Sequence, residues 1–163
     1  MHRGRNAYAL ACLEAERERT REAVTGLSLD SLDADTDGST NSIGSLLYHI
    51  AWIELDWLYA EILEREIPES YGALFPVDIR DREGKLSVVV GVSAAEHLRR
   101  LATVRADLLE QLRSFSSDEF YRVRQLPPYE VNPAWVLYHL LEHEAKHGEQ
   151  MARIVRDARE VNP

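Results

Sequence analysis

Apolar residues recur at helical intervals in four separate stretches of this chain. In the first, residues 6–25, the apolar positions lie opposite a densely charged face. The same spacing recurs in residues 41–65, 93–112 and 132–156. Each stretch is long enough for an amphipathic helix that buries one face. The pattern therefore predicts an all-α fold, a four-helix bundle formed by a single domain over residues 1–163.

Capping signals mark where three of these helices begin. Thr40 or Asn41 can cap the second helix through a side-chain oxygen. Ser93 and Glu96 have the spacing of a capping box, in which the Ser93 hydroxyl accepts from a backbone N–H and the Glu96 carboxylate reaches back to the Ser93 amide. Asn132 stands directly before a proline, which is typical of an N-cap followed by the first helical position.

The second and third helices are separated by a long connection, residues 66–92, which contains several prolines and glycines. A tight hairpin does not need so many residues, and the connection is long enough to run the length of the bundle. Residues 85–90 have strand propensity, and residues 121–125 are a candidate partner. The sequence thus leaves room for a small β ribbon beside the helices.

Composition and charge exclude several classes of function. The chain has 163 residues, 45% of them hydrophobic, and a formal net charge of −9. This charge argues against a nucleic-acid partner, because phosphate binding needs a basic surface. Arg99, Arg100 and Arg105 are interleaved with acidic and apolar positions, which predicts solvated helix faces. No apolar run is long enough to cross a bilayer. One cysteine, Cys12, fits a reducing compartment, so we expect a cytoplasmic protein without a membrane partner.

Two histidines in the fourth helix, His143 and His147, are four residues apart in the centre of its apolar face. At about 100° per residue their side chains point in nearly the same direction, toward the core. Burying two imidazoles side by side is unfavourable unless their polar atoms are satisfied. A divalent metal ion satisfies both, and imidazole suits zinc, nickel, copper and iron. The alternative is a pair of hydrogen-bonded core histidines without an ion.

A third ligand is available from the second helix. His49 lies at the edge of the apolar face of that helix and is turned inward. Together with His143 and His147 it forms a candidate triad for one divalent metal ion. His139 lies one turn before His143, so an ion shared by His139 and His143 is a second possibility. Near the pair on the fourth helix, Gln150 is the side chain that we expect to support the site.

The fourth helix also reads His-Glu-x-x-His, the motif of zinc proteases in which Glu144 would be the general base. Such enzymes take a third ligand after the motif, but residues 148–163 contain no histidine. They also place a sheet and a second subdomain around the helix, for which little chain remains. A protease is therefore the weaker interpretation. Glu144 can be a catalytic proton acceptor at the cleft, or it can form a solvated or interhelical ion pair.

Two segments of the sequence resemble those of a known family. Residues 41–49 read Asn-Ser-Ile-Gly-Ser-Leu-Leu-Tyr-His, and residues 133–147 contain Pro-x-Trp-Val-Leu-x-His-x-x-x-His-Glu-Ala-x-His. They resemble the DinB-like superfamily of four-helix metalloenzymes. In that family one histidine of the second helix and a His-x-x-x-His pair of the fourth bind a divalent metal, which here implies His49, His143 and His147. The sequence departs from the family at Glu149, where glycine is common.

The resemblance also implies a function. The family includes thiol-dependent S-transferases and the mycothiol-dependent maleylpyruvate isomerase. It implies a metal-dependent transferase or hydrolase with zinc or nickel, a small electrophilic substrate, and bacillithiol, mycothiol or another low-molecular-weight thiol as cofactor. The alternative is a non-catalytic, stress-related metal-binding bundle. In either case we expect a homodimer.

Overall fold

Four long helices make up most of this computed structural model, which describes residues 3–34 and 41–161. With two short helices they are, in chain order, α1 (Arg3–Val24), α2 (Leu29–Asp33), α3 (Ile43–Asp56), α4 (Ala94–Arg113), α5 (Ser117–Tyr121) and α6 (Pro133–Val161). Helix α6 packs against α1 and α3, and α3 also packs against α4. The predicted all-α fold is confirmed. Among the described helices, none combines the length and the apolar character that crossing a membrane requires.

The second predicted helix changes character before its end. Helix α3 is followed directly by a π-helical segment, Trp57–Ile62. In a π-helix the backbone hydrogen bonds join residues five apart instead of four. An apolar stripe over so few residues does not distinguish the two geometries, so the prediction of one helix over residues 41–65 missed the change. The short helix α2 was also missed, within a stretch that reads as a polar turn; it buries Leu32.

The predicted caps are confirmed in part. Ser42, not Asn41, caps α3, since its hydroxyl accepts from a backbone N–H at 3.2 Å; Thr40 lies outside the described residues. The Ser93 hydroxyl accepts from the backbone N–H of Glu96 at 3.2 Å, as predicted. The Glu96 carboxylate, however, binds Arg99 at 2.6 and 2.9 Å. The exposed arginine, one turn further on, takes the carboxylate that was expected to complete the capping box.

The start of α6 agrees with the sequence. The side-chain oxygen of Asn132 accepts from the backbone N–H of Trp135 at 2.8 Å, which is the predicted N-cap. The helix runs on to Val161, beyond the predicted end near residue 156. It is therefore long enough to carry the histidine pair in its middle, where the backbone is held by hydrogen bonds on both sides.

The β ribbon forms between other partners than those predicted. Strand β1 (Arg124–Leu126) pairs with β2 (Tyr129–Val131) in an antiparallel register that opposes Arg124 to Val131. Residues 85–90 form no strand, and Leu86 makes only an isolated bridge with Arg80. A strand pairs most readily with a neighbour two residues away, because closing the short loop costs little conformational entropy. The predicted pairing of residues 85–90 with 121–125 is wrong.

The long connection between α3 and α4 is bound to α3 by hydrogen bonds at two places. The Tyr48 hydroxyl donates to the carbonyl of Val77 at 2.5 Å and accepts from its N–H at 3.0 Å. Further along, the N–H of Val89 donates to the Ser45 hydroxyl at 3.0 Å. A Cβ on Gly44 would lie 3.1 Å from the Val89 carbonyl oxygen, so a glycine lets the connection approach the helix.

Two of the three arginines expected on solvated faces are buried, which corrects that prediction. Arg100 and Arg105 are each 4% exposed, whereas Arg99 is exposed. Arg100 donates to the carbonyl of Leu74 at 2.8 Å and lies over the ring of Tyr48, 4.9 Å from its centroid. Arginine is tolerated at such positions only where its donors find acceptors. Neighbouring charges in the sequence did not reveal that these acceptors come from other elements.

A buried network of charges joins the four long helices. It consists of one residue from each, namely Arg17 of α1, Glu54 of α3, Arg105 of α4 and Glu144 of α6. Arg105 donates to both oxygens of Glu54 at 2.7 and 2.9 Å, and Arg17 donates to Glu54 at 2.6 Å and to Glu144 at 2.7 Å. Two positive and two negative charges balance. The network holds α3 against α6, the two helices that carry the candidate site.

Candidate metal centre

Three histidine side chains meet between α3 and α6. The Nε2 atom of His143 lies 3.0 Å from Nε2 of His49 and 3.1 Å from Nε2 of His147. His49 is buried, and the two histidines of α6 are half-buried. The triad that was predicted from helical spacing thus comes together in space. Within the residues that the structure describes, these three side chains place one ligand atom each within 4.8 Å of one another.

The surroundings keep the three imidazoles neutral. Burial lowers the pKa of His49 to about 4, with further contributions from His147 and Arg80. Burial and the neighbouring histidines lower the pKa of His143 to about 3. Burial also lowers the pKa of His147, although a hydrogen bond to Gln150 opposes the change. Neutral imidazole is the form that binds a metal ion, so no proton has to leave at neutral pH.

Gln150 supports one member of the triad. Its side-chain oxygen lies 2.7 Å from Nδ1 of His147. An Nδ1–H that donates to this oxygen leaves the lone pair of Nε2 directed at the other two histidines, which is the usual arrangement behind a metal-bound imidazole. The predicted position of Gln150 beside the site is confirmed.

The three imidazoles are poorly satisfied by hydrogen bonds alone. A neutral imidazole has one donor and one acceptor, yet Nε2 of His143 faces Nε2 atoms from two sides. Nδ1 of His49 is buried and has no partner among the described residues. With metal–nitrogen bonds of about 2.05 Å, two ligand nitrogens lie about 2.9 Å apart on an octahedral ion and about 3.3 Å apart on a tetrahedral one. The two separations from Nε2 of His143, 3.0 and 3.1 Å, fall in this interval, so the residues fit a metal ion.

His139 stands apart from the triad. Its ring centroid is 6.2 Å from that of His143, and its ring stacks on Trp135 at 5.2 Å with an interplanar angle of 7°. Trp57 packs on it at 4.2 Å. The structure brings His49, and not His139, to the pair on α6. The possibility of an ion shared by His139 and His143 is therefore the weaker of the two assignments.

Glu144 points away from the histidines, into the buried charge network. It is 1% exposed, and its two oxygens accept from Arg17 at 2.7 and 3.1 Å and from Arg105 at 3.3 Å. Of the two roles considered for Glu144, a catalytic proton acceptor and an ion pair, the structure therefore favours the interhelical ion pair. The partners Arg17 and Glu54 were missed from the sequence. A signal was available for Arg105, because it lies within the apolar stripe of its helix, between Leu101 and Leu108.

Comparisons with known proteins agree with the fold. A sequence model described as the DinB superfamily matches residues 13–151. A crystal structure of "the conserved protein of locus from Enterococcus faecalis" superposes with a TM-score of 0.74 at 17% sequence identity, covering 93% of this chain and 95% of that chain. At this identity the likeness shows the fold alone. No curated protein matches the sequence.

Proposed function

The chain belongs to the DinB superfamily, and on that premise we propose that it is a metal-dependent enzyme that joins a low-molecular-weight thiol to a small electrophilic substrate. The observation that carries the proposal is the triad itself. Three neutral imidazoles from two helices converge through their Nε2 atoms, and no fourth His, Cys, Asp or Glu among the described residues joins them. A structural zinc site is closed by four protein ligands, whereas a catalytic site keeps a position open.

The donor set favours zinc or nickel, which accept nitrogen ligands readily. A divalent ion at this place would lower the pKa of a bound thiol or water and so make a nucleophile at neutral pH. His49, His143 and His147 would hold the ion. Gln150 fixes the ring orientation of His147 through the contact at 2.7 Å. Arg17 pairs with both Glu54 of α3 and Glu144 of α6 and so links the two helices that carry the three ligand atoms.

The geometry argues against the zinc-protease alternative. A general base of that motif would need its carboxylate beside the ion, but the Glu144 carboxylate is bound by Arg17 and Arg105. We therefore do not assign Glu144 a step in the reaction. Hydrolysis of a small electrophile by an activated water stays within the proposal, because it uses the same open position. The two reactions differ only in which nucleophile occupies it.

Metal content and thiol transfer can be measured on the same preparations. Protein purified without chelators should contain close to one zinc or nickel ion per chain by elemental analysis, and His49→Ala should lose it. The electrophile 1-chloro-2,4-dinitrobenzene is then offered with bacillithiol, mycothiol or glutathione. In this reaction an S–C bond forms, chloride leaves, and the thiol proton passes to solvent. We expect conjugation by the wild type and only the uncatalysed background with His147→Ala.

His139→Ala is the matched control, because it removes an imidazole from the same helix outside the triad. It should keep both metal and activity. The triad assignment is wrong if His49→Ala keeps full metal occupancy while His139→Ala loses it. If the metal is present and wild type and His147→Ala conjugate the electrophile equally fast, the non-catalytic metal-binding alternative is the better one. Circular dichroism of the chelated protein completes the comparison, since retained helicity with lost activity indicates a catalytic ion.

A further inference from the structure

An aromatic surface extends from the histidine cluster toward the start of α6. Beyond His143 comes the ring of His139, on which both Trp57 and Trp135 pack. Trp57 and Trp135 also contact each other, with ring centroids 5.7 Å apart. Tyr129 of β2 stacks on Trp57 at 6.4 Å with an interplanar angle of 14°. We call Trp57, Tyr129 and Trp135 the aromatic platform.

The platform faces solvent. Trp135 is 47% exposed and Tyr129 is 45% exposed, although both residues have large apolar rings. Contiguous exposed aromatic rings usually mark a place where something binds. The platform is built by three separate elements, the π-helix, the β hairpin and α6, so its shape is a product of the tertiary fold.

A carboxylate with no cationic partner among the described residues lies at the edge of the platform. Oε1 of Glu61 accepts from the Tyr129 hydroxyl at 2.6 Å. Glu61 is only 8% exposed, and its Oε2 is buried with no hydrogen-bond partner among the described residues. Leaving a buried carboxylate oxygen unpaired is unfavourable. A buried carboxylate that lacks a cationic partner in the described part of the chain, beside exposed aromatic rings, is therefore the feature to be explained.

The half-buried Asp56 adds a second negative charge. Burial and the charge of Glu61 raise the pKa of the Asp56 carboxyl, and Asp56 directly precedes the π-helical segment that contains Glu61. In an α-helix, residues five apart point about 140° away from each other. Hydrogen bonding between residues five apart in the π-helix brings them to the same side instead. π-helical segments occur frequently at functional sites, and this one brings Asp56 and Glu61 together beside Trp57.

We propose that the aromatic platform, with Glu61 and Asp56 at its edge, binds a small organic cation such as an alkylammonium group. Aromatic faces carry negative electrostatic potential and attract such cations, best through tryptophan. The unpaired carboxylate adds attraction that a neutral ligand would not receive. An anion would be repelled, and a hydrated inorganic cation would gain little from the ring faces. The site uses none of the metal ligands, so its binding can be tested apart from the proposed function.

The probe is choline, compared with its neutral isostere 3,3-dimethylbutan-1-ol. Two of the three tryptophans of the chain belong to the platform, so intrinsic fluorescence reports on it directly. At constant ionic strength we expect a saturable fluorescence change with choline and none with the alcohol. Glu61→Gln keeps an oxygen for the Tyr129 hydroxyl but removes the charge. It should weaken choline binding by about tenfold, the factor that corresponds to about 1.4 kcal/mol.

Matched variants separate the charge from the folding of the protein. Glu110→Gln removes an exposed carboxylate of α4 and should leave choline binding unchanged. Trp135→Leu should abolish binding and Trp135→Phe should keep part of it, with thermal melts confirming that each variant is folded. Equal responses to choline and the alcohol, or equal affinity of wild type and Glu61→Gln, would overturn the proposal. So would a wild-type dimer that Trp135→Leu dissociates while choline has no effect, because the platform would then be a subunit interface.

Discussion

Replacement of Arg105 by methionine tests whether the buried charge network holds the bundle together. The guanidinium is 4% exposed and donates to both oxygens of Glu54, to the carbonyl of Leu13 at 3.0 Å and to Glu14 at 2.8 Å. Methionine fills much of the same space but provides no donor. Arg17 would then be the remaining positive charge between Glu54 and Glu144.

The expected loss follows from this imbalance. Removing one partner of a buried ion pair costs about 3–5 kcal/mol, because the other charge stays buried without compensation. Arg17 still binds both carboxylates, so we expect the lower end, about 3 kcal/mol. For a domain of this length that corresponds to a decrease of about 6–12 °C in the melting temperature. Urea unfolding followed by circular dichroism at pH 7 measures the free energy directly.

The pH dependence of the loss identifies its cause. In the wild type, burial acts to raise the pKa of Glu54, but Arg17 and Arg105 outweigh it and hold the pKa below its usual value. Without Arg105, less positive charge offsets the effect of burial, so the pKa of Glu54 in the folded state rises. The folded variant then binds a proton more readily than the wild type, so its stability deficit should shrink as the pH falls from 7 toward 4.

Two further variants complete the experiment. Arg99→Met removes an arginine that is exposed and pairs with Glu96, and it should cost less than about 1 kcal/mol. Arg105→Met combined with Glu54→Gln removes the excess negative charge and should recover part of the stability lost by Arg105→Met alone. A loss for Arg105→Met no larger than for Arg99→Met, with the same deficit at pH 7 and pH 5, would refute the reasoning.

Three other substitutions test the packing around α3 and α6. Burial lowers the pKa of His97 to about 4 from its usual 6.5. Between these pH values the unfolded chain binds a proton that the folded protein does not bind, so the free energy of unfolding should decrease by up to about 3 kcal/mol as the pH falls from 6.5 to 4. In urea titrations, the difference in stability between wild type and His97→Leu should therefore shrink over that range, and a constant difference would contradict it. Gly44→Ala would place a Cβ 3.1 Å from the Val89 carbonyl oxygen and 3.2 Å from the His97 ring. We expect this crowding to destabilise the protein by about 1–3 kcal/mol, which a lower melting temperature would show. In Gly148→Ala the added Cβ would lie 3.7 Å from the Glu16 side chain, an ordinary contact, so the higher helix propensity of alanine should stabilise the protein by about 0.5–1 kcal/mol and raise the melting temperature. A lower melting temperature would show that the added methyl group does not fit between α1 and α6.

The three candidate metal ligands were predictable because their signal lies within single helices. The spacing of His143 and His147 puts both rings on one face whatever surrounds them, and His49 lies on the inward side of its own helix. The caps at Ser93 and Asn132 are equally local, since each involves a side chain and a backbone N–H one turn away. Periodicity over many residues likewise predicts the four long helices. For these features the sequence specifies the structure without reference to distant residues.

Other features depend on what the neighbouring elements offer. Arg105 lies within the apolar stripe of its own helix, but only the tertiary structure brings the carboxylates of Glu54 and Glu144 that allow it to be buried there. The arrangement of the elements also decides three other features: the choice of ribbon partners, the change to a π-helix at Trp57, and the position of the Glu61 carboxylate beside the aromatic rings. Each depends on how the helices are arranged against one another, and many side chains decide that arrangement together. The sequence by itself therefore determined the helices and the three histidines, whereas the tertiary structure alone decided which charges are buried, which are paired, and which surface stays open beside the histidines.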